Sequence, residues 1–312
     1  MTTETQRRKR EALGMWLGLL GVAIFALTLP MTRLATGTVD HPQLSPWFIT
    51  FARAALAGGL SVAFLALTRS PRPTRSQLKP LAWATLGNCL GFPVLLGFAL
   101  RHVPSGHAAV FTALLPLTTA AMAAWVLHQR ARLGFWLFAG LGASLVVGFA
   151  WMRAAQHAQG FALEWADLAL IGAIISAAIG YVYGAQITPT LGAERVICWV
   201  CVLALPVTVP GTILMWPDTP APVSAWLALL YVGVFSMWAG FFAWYRGLAI
   251  GGALKVSQVQ LVQPFISILA AVPLLGEPLE TMTLGFTLAV VATVFAGKRF
   301  AAGSPSPRAA LT

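Results

Sequence analysis

Polar residues and a proline recur at helical spacing within one otherwise apolar stretch, residues 254–275. They follow at intervals of three, four and three residues, and they are Ser257, Gln260, Pro264 and Ser267. In a helix this spacing places all four on one face. Pro264 has no N–H to donate to the carbonyl of Gln260, so the helix should kink there and leave that oxygen free. Because a carbonyl in apolar surroundings needs a hydrogen-bond partner, this face is suited to binding a small polar molecule.

A second apolar stretch, residues 105–127, repeats the arrangement. Thr112, Pro116 and Thr119 are spaced four and three residues apart, and the carbonyl that Pro116 frees belongs to Thr112. Each stretch therefore combines a proline with a polar residue four positions earlier. We expect both helices to bend about Pro116 and Pro264 as the protein works. Static kinks filled by side-chain packing are the alternative.

Further candidates for the same binding site are amides, hydroxyls and aromatic rings inside other apolar stretches. They are Thr28, Asn88, Phe92, Ser176, Tyr183, Trp238, Trp244 and Gln263. Aromatic walls with a few dipoles suit an amino acid or a similar zwitterion, because rings hold an apolar side chain while dipoles and helix ends hold charged groups. For each residue alone, packing or hydrogen bonding between helices is the alternative.

Two ionisable residues in the apolar stretches admit several interpretations. Arg53 lies about a third of the way into its stretch. It can extend to the lipid headgroups, pair with a carbonyl, or meet a substrate carboxylate. His107 lies near the start of its stretch, so we expect it at a wetted outer surface.

No Asp or Glu lies in the middle of an apolar stretch, and six of the nine acidic residues lie at or beyond the outer ends. These are Asp40, Glu164, Asp167, Asp218, Glu277 and Glu280. A buried carboxylate is a usual proton carrier in membranes, so we expect a mechanism without one. Cys198 and Cys201 match a CxxC pattern, but no second pair of Cys or His lies nearby, and helix packing is favoured. No catalytic residue, metal site or cofactor is expected.

The elements that must position these residues are membrane-spanning helices. The chain has 312 residues, of which 58% are hydrophobic and 9% charged, whereas a soluble domain carries about 25% charged residues. This composition excludes a soluble enzyme and a disordered chain. Ten stretches are long enough to cross a membrane: 13–34, 46–68, 80–100, 105–127, 133–152, 164–184, 195–216, 223–246, 254–275 and 280–298. We therefore predict an all-α integral membrane protein with ten transmembrane helices.

The basic residues predict the orientation of these helices. If both termini are cytoplasmic, 16 of the 20 Lys and Arg fall on the cytoplasmic side. This agrees with the excess of Lys and Arg that cytoplasmic loops carry. The net charge of +11 is then an orientation signal, and no nucleic-acid partner is needed to explain it. The basic start of the chain runs into a stretch of spanning length with no cleavage pattern, so we expect the first helix to be retained.

An internal repeat is indicated by aligning the chain with itself. A shift of 148 positions places Pro116 on Pro264. Five helices per half make the second half inverted relative to the first, a recurrent design around a central cavity. We predict a cytoplasmic tail over 1–12, five-helix repeats over 13–152 and 153–298, and a cytoplasmic tail over 299–312.

Two junctions carry a family resemblance. The stretch 97–116, GFALRHVPSGHAAVFTALLP, resembles the junction of the third and fourth helices in the drug/metabolite transporter superfamily, EamA type, and 244–264, WYRGLAIGGALKVSQVQLVQP, resembles its eighth-to-ninth junction. Phe51-Ala-Arg53 and Leu274-Leu-Gly-Glu277 are similar to further family patterns. The chain departs at His128-Gln-Arg130, where the family often has Gly-Glu-Arg.

The resemblance implies an exporter of small metabolites, often amino acids and in some relatives aromatic ones. It also implies that helices one, three, four, six, eight and nine line the path. We therefore expect a secondary transporter that exports amino acids or similar metabolites across the bacterial inner membrane by alternating access, with lipid and a small-molecule substrate as partners and no obligate protein partner. Efflux of a nucleoside, vitamin or drug-like compound is the alternative. An integral membrane enzyme acting on lipid-linked substrates is disfavoured by the short loops.

Overall fold

Apolar helices make up nearly all of the computed structural model, which describes residues 3–126, 132–156, 164–251 and 256–300. Eight helical spans are long and apolar enough to cross a membrane, and two shorter apolar spans follow them. In chain order, spans 1 to 10 are Glu11–Thr36, Pro46–Leu67, Arg75–His102, Ser105–Val126, Leu133–Arg153, Trp165–Leu191, Ala193–Leu214, Val223–Gly247, Val259–Leu275 and Thr281–Gly297. The two short spans are at the lower end of the length that crosses a bilayer. The all-α membrane fold is confirmed.

Five helices run without interruption. They are Pro46–Leu67, Leu133–Gln156, Trp165–Leu191, Ala193–Leu214 and Thr281–Lys298. The predicted N-terminal tail is helical from its third residue, because the first helix is Thr3–Ala26. The His128-Gln-Arg130 turn, Lys255 and the predicted tail from residue 301 onward lie outside the described residues.

The remaining spans are interrupted. Span 1 continues as Thr28–Thr36, and span 4 is divided into Ser105–Thr112 and Leu115–Val126. Spans 3 and 8 each contain a π-helical turn, so that they read Arg75–Thr85, Leu86–Gly91 and Phe92–His102, and Val223–Tyr231, Val232–Ala239 and Gly240–Gly251. Span 9 begins as the 3₁₀ helix Ser257–Val262 and continues as Gln263–Leu275.

Prolines mark the interruptions in spans 4 and 9. Pro116 is the second residue of Leu115–Val126, and Pro264 is the second residue of Gln263–Leu275. A proline is tolerated in the first turn of a helix, where its missing N–H is not needed. In a helix interior it removes one hydrogen bond without always ending the helix, as Pro206 and Pro210 within Ala193–Leu214 show. The predicted kinks therefore coincide with departures from regular α-helix in both spans.

The helix interruptions in the two halves lie at equivalent positions when the chain is shifted by 148 residues. A shift of 148 carries the π turn Leu86–Gly91 onto positions 234–239, inside the π turn Val232–Ala239. The same shift carries the break between Thr112 and Leu115 onto the end of the 3₁₀ helix Ser257–Val262. The corresponding irregularities support two structurally related halves.

Helix packing supports the same relation. The most extensive contacts join span 2 with 7, 1 with 8, 3 with 6 and 5 with 10. Exchanging each span with the one five places away turns the 1–8 contact into the 6–3 contact and leaves 2–7 and 5–10 unchanged. This is the pattern that a two-fold axis between the halves produces.

Small residues let the first and eighth spans approach closely. A Cβ on Gly247 would lie 2.7 Å from the backbone nitrogen of Gly18 and 2.9 Å from the carbonyl oxygen of Gly14. The Gly14-x-x-x-Gly18 pattern therefore serves a contact inside the chain. Since the number of spans is even, span 1 begins and span 10 ends on one side, called the near face here, and the opposite side is the far face.

Candidate functional site

A central cavity lies between the two halves in three lobes. Counting space that is open to solvent, the lobes enclose about 390, 580 and 870 Å³, and they share lining residues, among them Leu115. Spans 1, 2, 3, 4, 6, 8, 9 and 10 all contribute to the walls.

The middle lobe is built around three buried polar side chains from three spans. Thr28 Oγ1 and Ser236 Oγ lie 2.7 Å apart, and Arg53 Nη2 donates to Ser236 Oγ at 3.3 Å. Arg53 is 2% exposed and lines the lobe. Extension of its guanidinium to the headgroups, one of the sequence-based alternatives, is excluded by this burial.

Asn88 lines the middle lobe from the π turn of span 3. Its side chain packs directly on Gly180 of span 6, where an added Cβ would overlap the amide. A π turn inserts one extra residue and is frequent at functional sites. The turn and the glycine together determine where this amide points.

Substituting Gly180 with Ala should disturb the site without adding a polar group. The new methyl overlaps the Asn88 amide, so either the amide moves or spans 3 and 6 separate, at a cost of about 1–3 kcal/mol. We expect a marked fall in transport in liposomes. Gly184→Ala is the matched control one turn further along, because its Cβ would meet only Val196 at 3.7 Å. Equal transport by the two variants would show that the Asn88–Gly180 contact does not position the amide.

The smallest lobe lies between the two proline breaks. Thr112 and Pro116 face it from span 4, and Gln260, Pro264 and Ser267 face it from span 9. Gln263 lines both this lobe and the middle one, as Thr112 does. The side chain of Ser267 is 1% exposed, and its hydroxyl has no hydrogen-bond partner among the described residues.

Three predicted site residues lie elsewhere. Ser176 packs against the glycines of span 3, Tyr183 stacks on Trp83 with ring centroids 6.0 Å apart, and Trp238 packs on Phe242 at 4.6 Å. The side chain of Ser257 lies outside the described part of the structure. The other predicted residues line the lobes: Thr28, Asn88, Phe92, Thr112, Pro116, Trp244, Gln260, Gln263, Pro264 and Ser267.

Residues that the sequence analysis did not select also line the cavity. Tyr181 and Phe241 border both the middle and the largest lobes, and Tyr245 borders the largest. Spacing could have identified the two residues of span 8, because Met237, Phe241 and Tyr245 recur every four residues on one face of that span.

Both halves of the chain match the same family. The sequence profile of the EamA-like transporter family matches residues 12–151 and again residues 164–296. The chain belongs to the EamA-like transporter family. Members of this family are transporters and not enzymes, and the chain is accordingly a multi-pass membrane transporter.

Related proteins align with this chain over nearly its whole length. The chain is 39% identical over 286 residues to a Bacillus subtilis protein named uncharacterized transporter YdeK, covering 91% of this chain and 96% of the relative. It is 25% identical to a probable terminal-alkyne amino-acid exporter of Streptantibioticus cattleyicolor, covering 91% and 93%. A solved crystal structure with a TM-score of 0.61 and 20% identity covers 96% of this chain and 99% of its own, and it shows the same fold.

The far ends of the transporter's spans are tied together across the two halves. The Glu277 carboxylate, just beyond span 9, accepts hydrogen bonds from Ser105 N at 2.9 Å, Ser105 Oγ at 2.8 Å and Gly106 N at 3.1 Å. A carboxylate at a helix N-terminus is favoured by the helix dipole. Arg153 and Glu280 form an ion pair on the same face.

His107 and Asp167 add a buried link at this face. His107 Nε2 lies 2.7 Å from Asp167 Oδ1, and the two residues are 5% and 3% exposed. The expectation of a wetted His107 is wrong, because span 6 and the rings of Phe111 and Phe149 cover it.

By contrast, the largest lobe of the cavity is lined by near-half residues such as Thr119, Ala185 and Tyr245.

Proposed function

We propose that this transporter exports amino acids or closely similar metabolites from the bacterial cytoplasm by alternating access, with its near face in the cytoplasm. The observation that carries the proposal is the central cavity, in which amides and hydroxyls alternate with aromatic rings between two proline-broken helices. The name of the Streptantibioticus relative supports the amino acid class.

The near face as the cytoplasmic side is supported by charge. The basic residues before span 1 and in the loop between spans 2 and 3 all lie at this face, as cytoplasmic loops require. No Asp or Glu borders the three lobes in the described ranges. The substrate therefore moves past the cavity wall without a carboxylate as proton carrier.

Counterflow in liposomes tests this function. Purified protein is reconstituted in vesicles loaded with one unlabelled amino acid, and the entry of the same labelled amino acid is followed for each of the twenty. We expect at least one to accumulate transiently, with no imposed pH gradient. Empty vesicles provide the baseline. If no amino acid moves, the substrate class is wrong, and if movement requires a pH gradient, the mechanism without a proton carrier is wrong.

A further inference from the structure

A buried positive charge without a counter-charge faces the middle lobe of the cavity. Arg53 donates from Nη2 to Ser236 Oγ, while its Nε and Nη1 have no hydrogen-bond partner among the described residues. Thr28, Asn88, Phe92 and Gln263 also line this lobe, and none of them carries a charge.

An anion bound beside Arg53 would offset the free-energy cost of burying its charge. A guanidinium stays protonated at neutral pH, and burying an unpaired charge is strongly unfavourable. Elsewhere in the described part of the chain, the buried carboxylate of Asp167 has His107 as its partner. Arg53 faces a cavity instead, so its natural partner is a molecule that enters the cavity.

We propose that Arg53 binds the carboxylate of the transported molecule, so that the substrates are small monocarboxylates, amino acids among them. This inference rests on the proposed function and adds to it the group that the site requires. Hydrogen bonds between guanidinium and carboxylate are charge-assisted and among the stronger ones in proteins. The hydroxyl of Ser236, itself held by Thr28 at 2.7 Å, fixes one nitrogen of Arg53, while Nε and Nη1 have no partner among the described residues.

The rest of the lobe suits the remainder of such a molecule. Phe25, Phe92 and Phe241 provide apolar walls. The side-chain oxygens of Asn88 and Gln263 can accept hydrogen bonds from an ammonium group, as can the carbonyl of Thr112, to which Pro116 has no N–H to donate. An amine that lacks a carboxylate brings only a second positive charge to Arg53 and is repelled.

Binding to the purified full chain is measured by ligand-induced thermal stabilisation. The probes are the twenty amino acids, the carboxamide of each, and the simple carboxylates butyrate and 3-phenylpropionate. Wild-type protein is expected to bind at least one carboxylate about tenfold or more tightly than its carboxamide. If no probe shows this selectivity, the proposal is overturned.

Arg53→Met separates a binding role from a structural one. The variant should lose the preference for carboxylate over carboxamide, yet without ligand it should be at least as stable as the wild type, because a buried unpaired charge has been removed. Arg53→Lys should restore part of the preference. Arg195→Met is the matched control, since Arg195 also bonds a serine, Ser70, but outside the cavity. Carboxylate selectivity that persists in Arg53→Met overturns the proposal.

The two proposals can fail separately. Carboxylate-selective binding that depends on Arg53, combined with no counterflow, would leave the binding site in place and reject export of amino acids. Counterflow that is unchanged in Arg53→Met would support amino acid transport and reject Arg53 as the carboxylate site.

Discussion

Asp167→Leu should lower the free energy of unfolding by about 3 kcal/mol, because it leaves His107 buried without its partner. The two side chains lie 2.7 Å apart, and each is about nineteen-twentieths buried. Asp167 Oδ2 also accepts a hydrogen bond from the backbone nitrogen of Glu164 at 3.3 Å. The substitution therefore removes both a buried hydrogen bond and a cap at the start of span 6.

A double-mutant cycle separates the contribution of the His107–Asp167 contact to stability from that of the helix cap. His107→Leu alone leaves the Asp167 carboxylate in an apolar setting, so its loss should be similar to that of the first variant. The double variant His107→Leu/Asp167→Leu should lose much less than the sum, because no unpaired charge remains. Unfolding is followed in mixed micelles by titration with sodium dodecyl sulfate, with Asp218→Leu in an exposed loop as the control. Losses that simply add would show that the two residues do not stabilise each other.

The helices and the proline breaks could be predicted from the sequence because both depend on local chemistry. Crossing a bilayer requires a long apolar run, and the missing N–H of Pro116 or Pro264 acts within one helical turn. The polar residues beside these prolines, Thr112 and Gln260, line the smallest lobe of the cavity.

Which side of each of the other helices lines the cavity could not be predicted in the same way. Span 6 is apolar on every side, so its periodicity cannot distinguish the side of Ser176, which packs on span 3, from the side of Tyr181, which lines the cavity. In span 8 the π turn changes the helical phase by one residue, and Ser236 reaches the cavity while Trp238 packs on aromatic rings outside it.

Contacts between residues far apart in the chain could not be predicted from the sequence either. His107 and Asp167 are 60 residues apart, and neither shows from its own surroundings that the other covers it. The position of Arg53 allowed three interpretations, and the fold excludes only its extension to the headgroups. A partner for a charged side chain depends on which helices pack together, and that is decided by small residues such as Gly180 and Gly247 that a hydropathy pattern does not weigh.

Pro116→Ala and Pro264→Ala should each reduce the transport rate about tenfold or more while leaving the folded protein at least as stable. Ala113 and Leu114, at the break in span 4, are good helix formers, so the proline alone prevents a continuous helix. An alanine at 116 supplies the N–H that bonds the carbonyl of Thr112. A tenfold slower rate corresponds to about 1.4 kcal/mol of added barrier, comparable to the hydrogen bond that bending would then break.

Pro206→Ala provides the matched control for this hinge hypothesis. Pro206 is also inside a helix, in span 7, but it does not border the cavity lobes in the described part of the chain. Its replacement should leave counterflow near the wild-type rate. If the variants at 116 and 264 also transport at that rate, the breaks are static features of packing. A slow rate confined to those two positions requires that both halves bend at equivalent points, because alternating access in an inverted repeat exchanges the roles of spans 4 and 9.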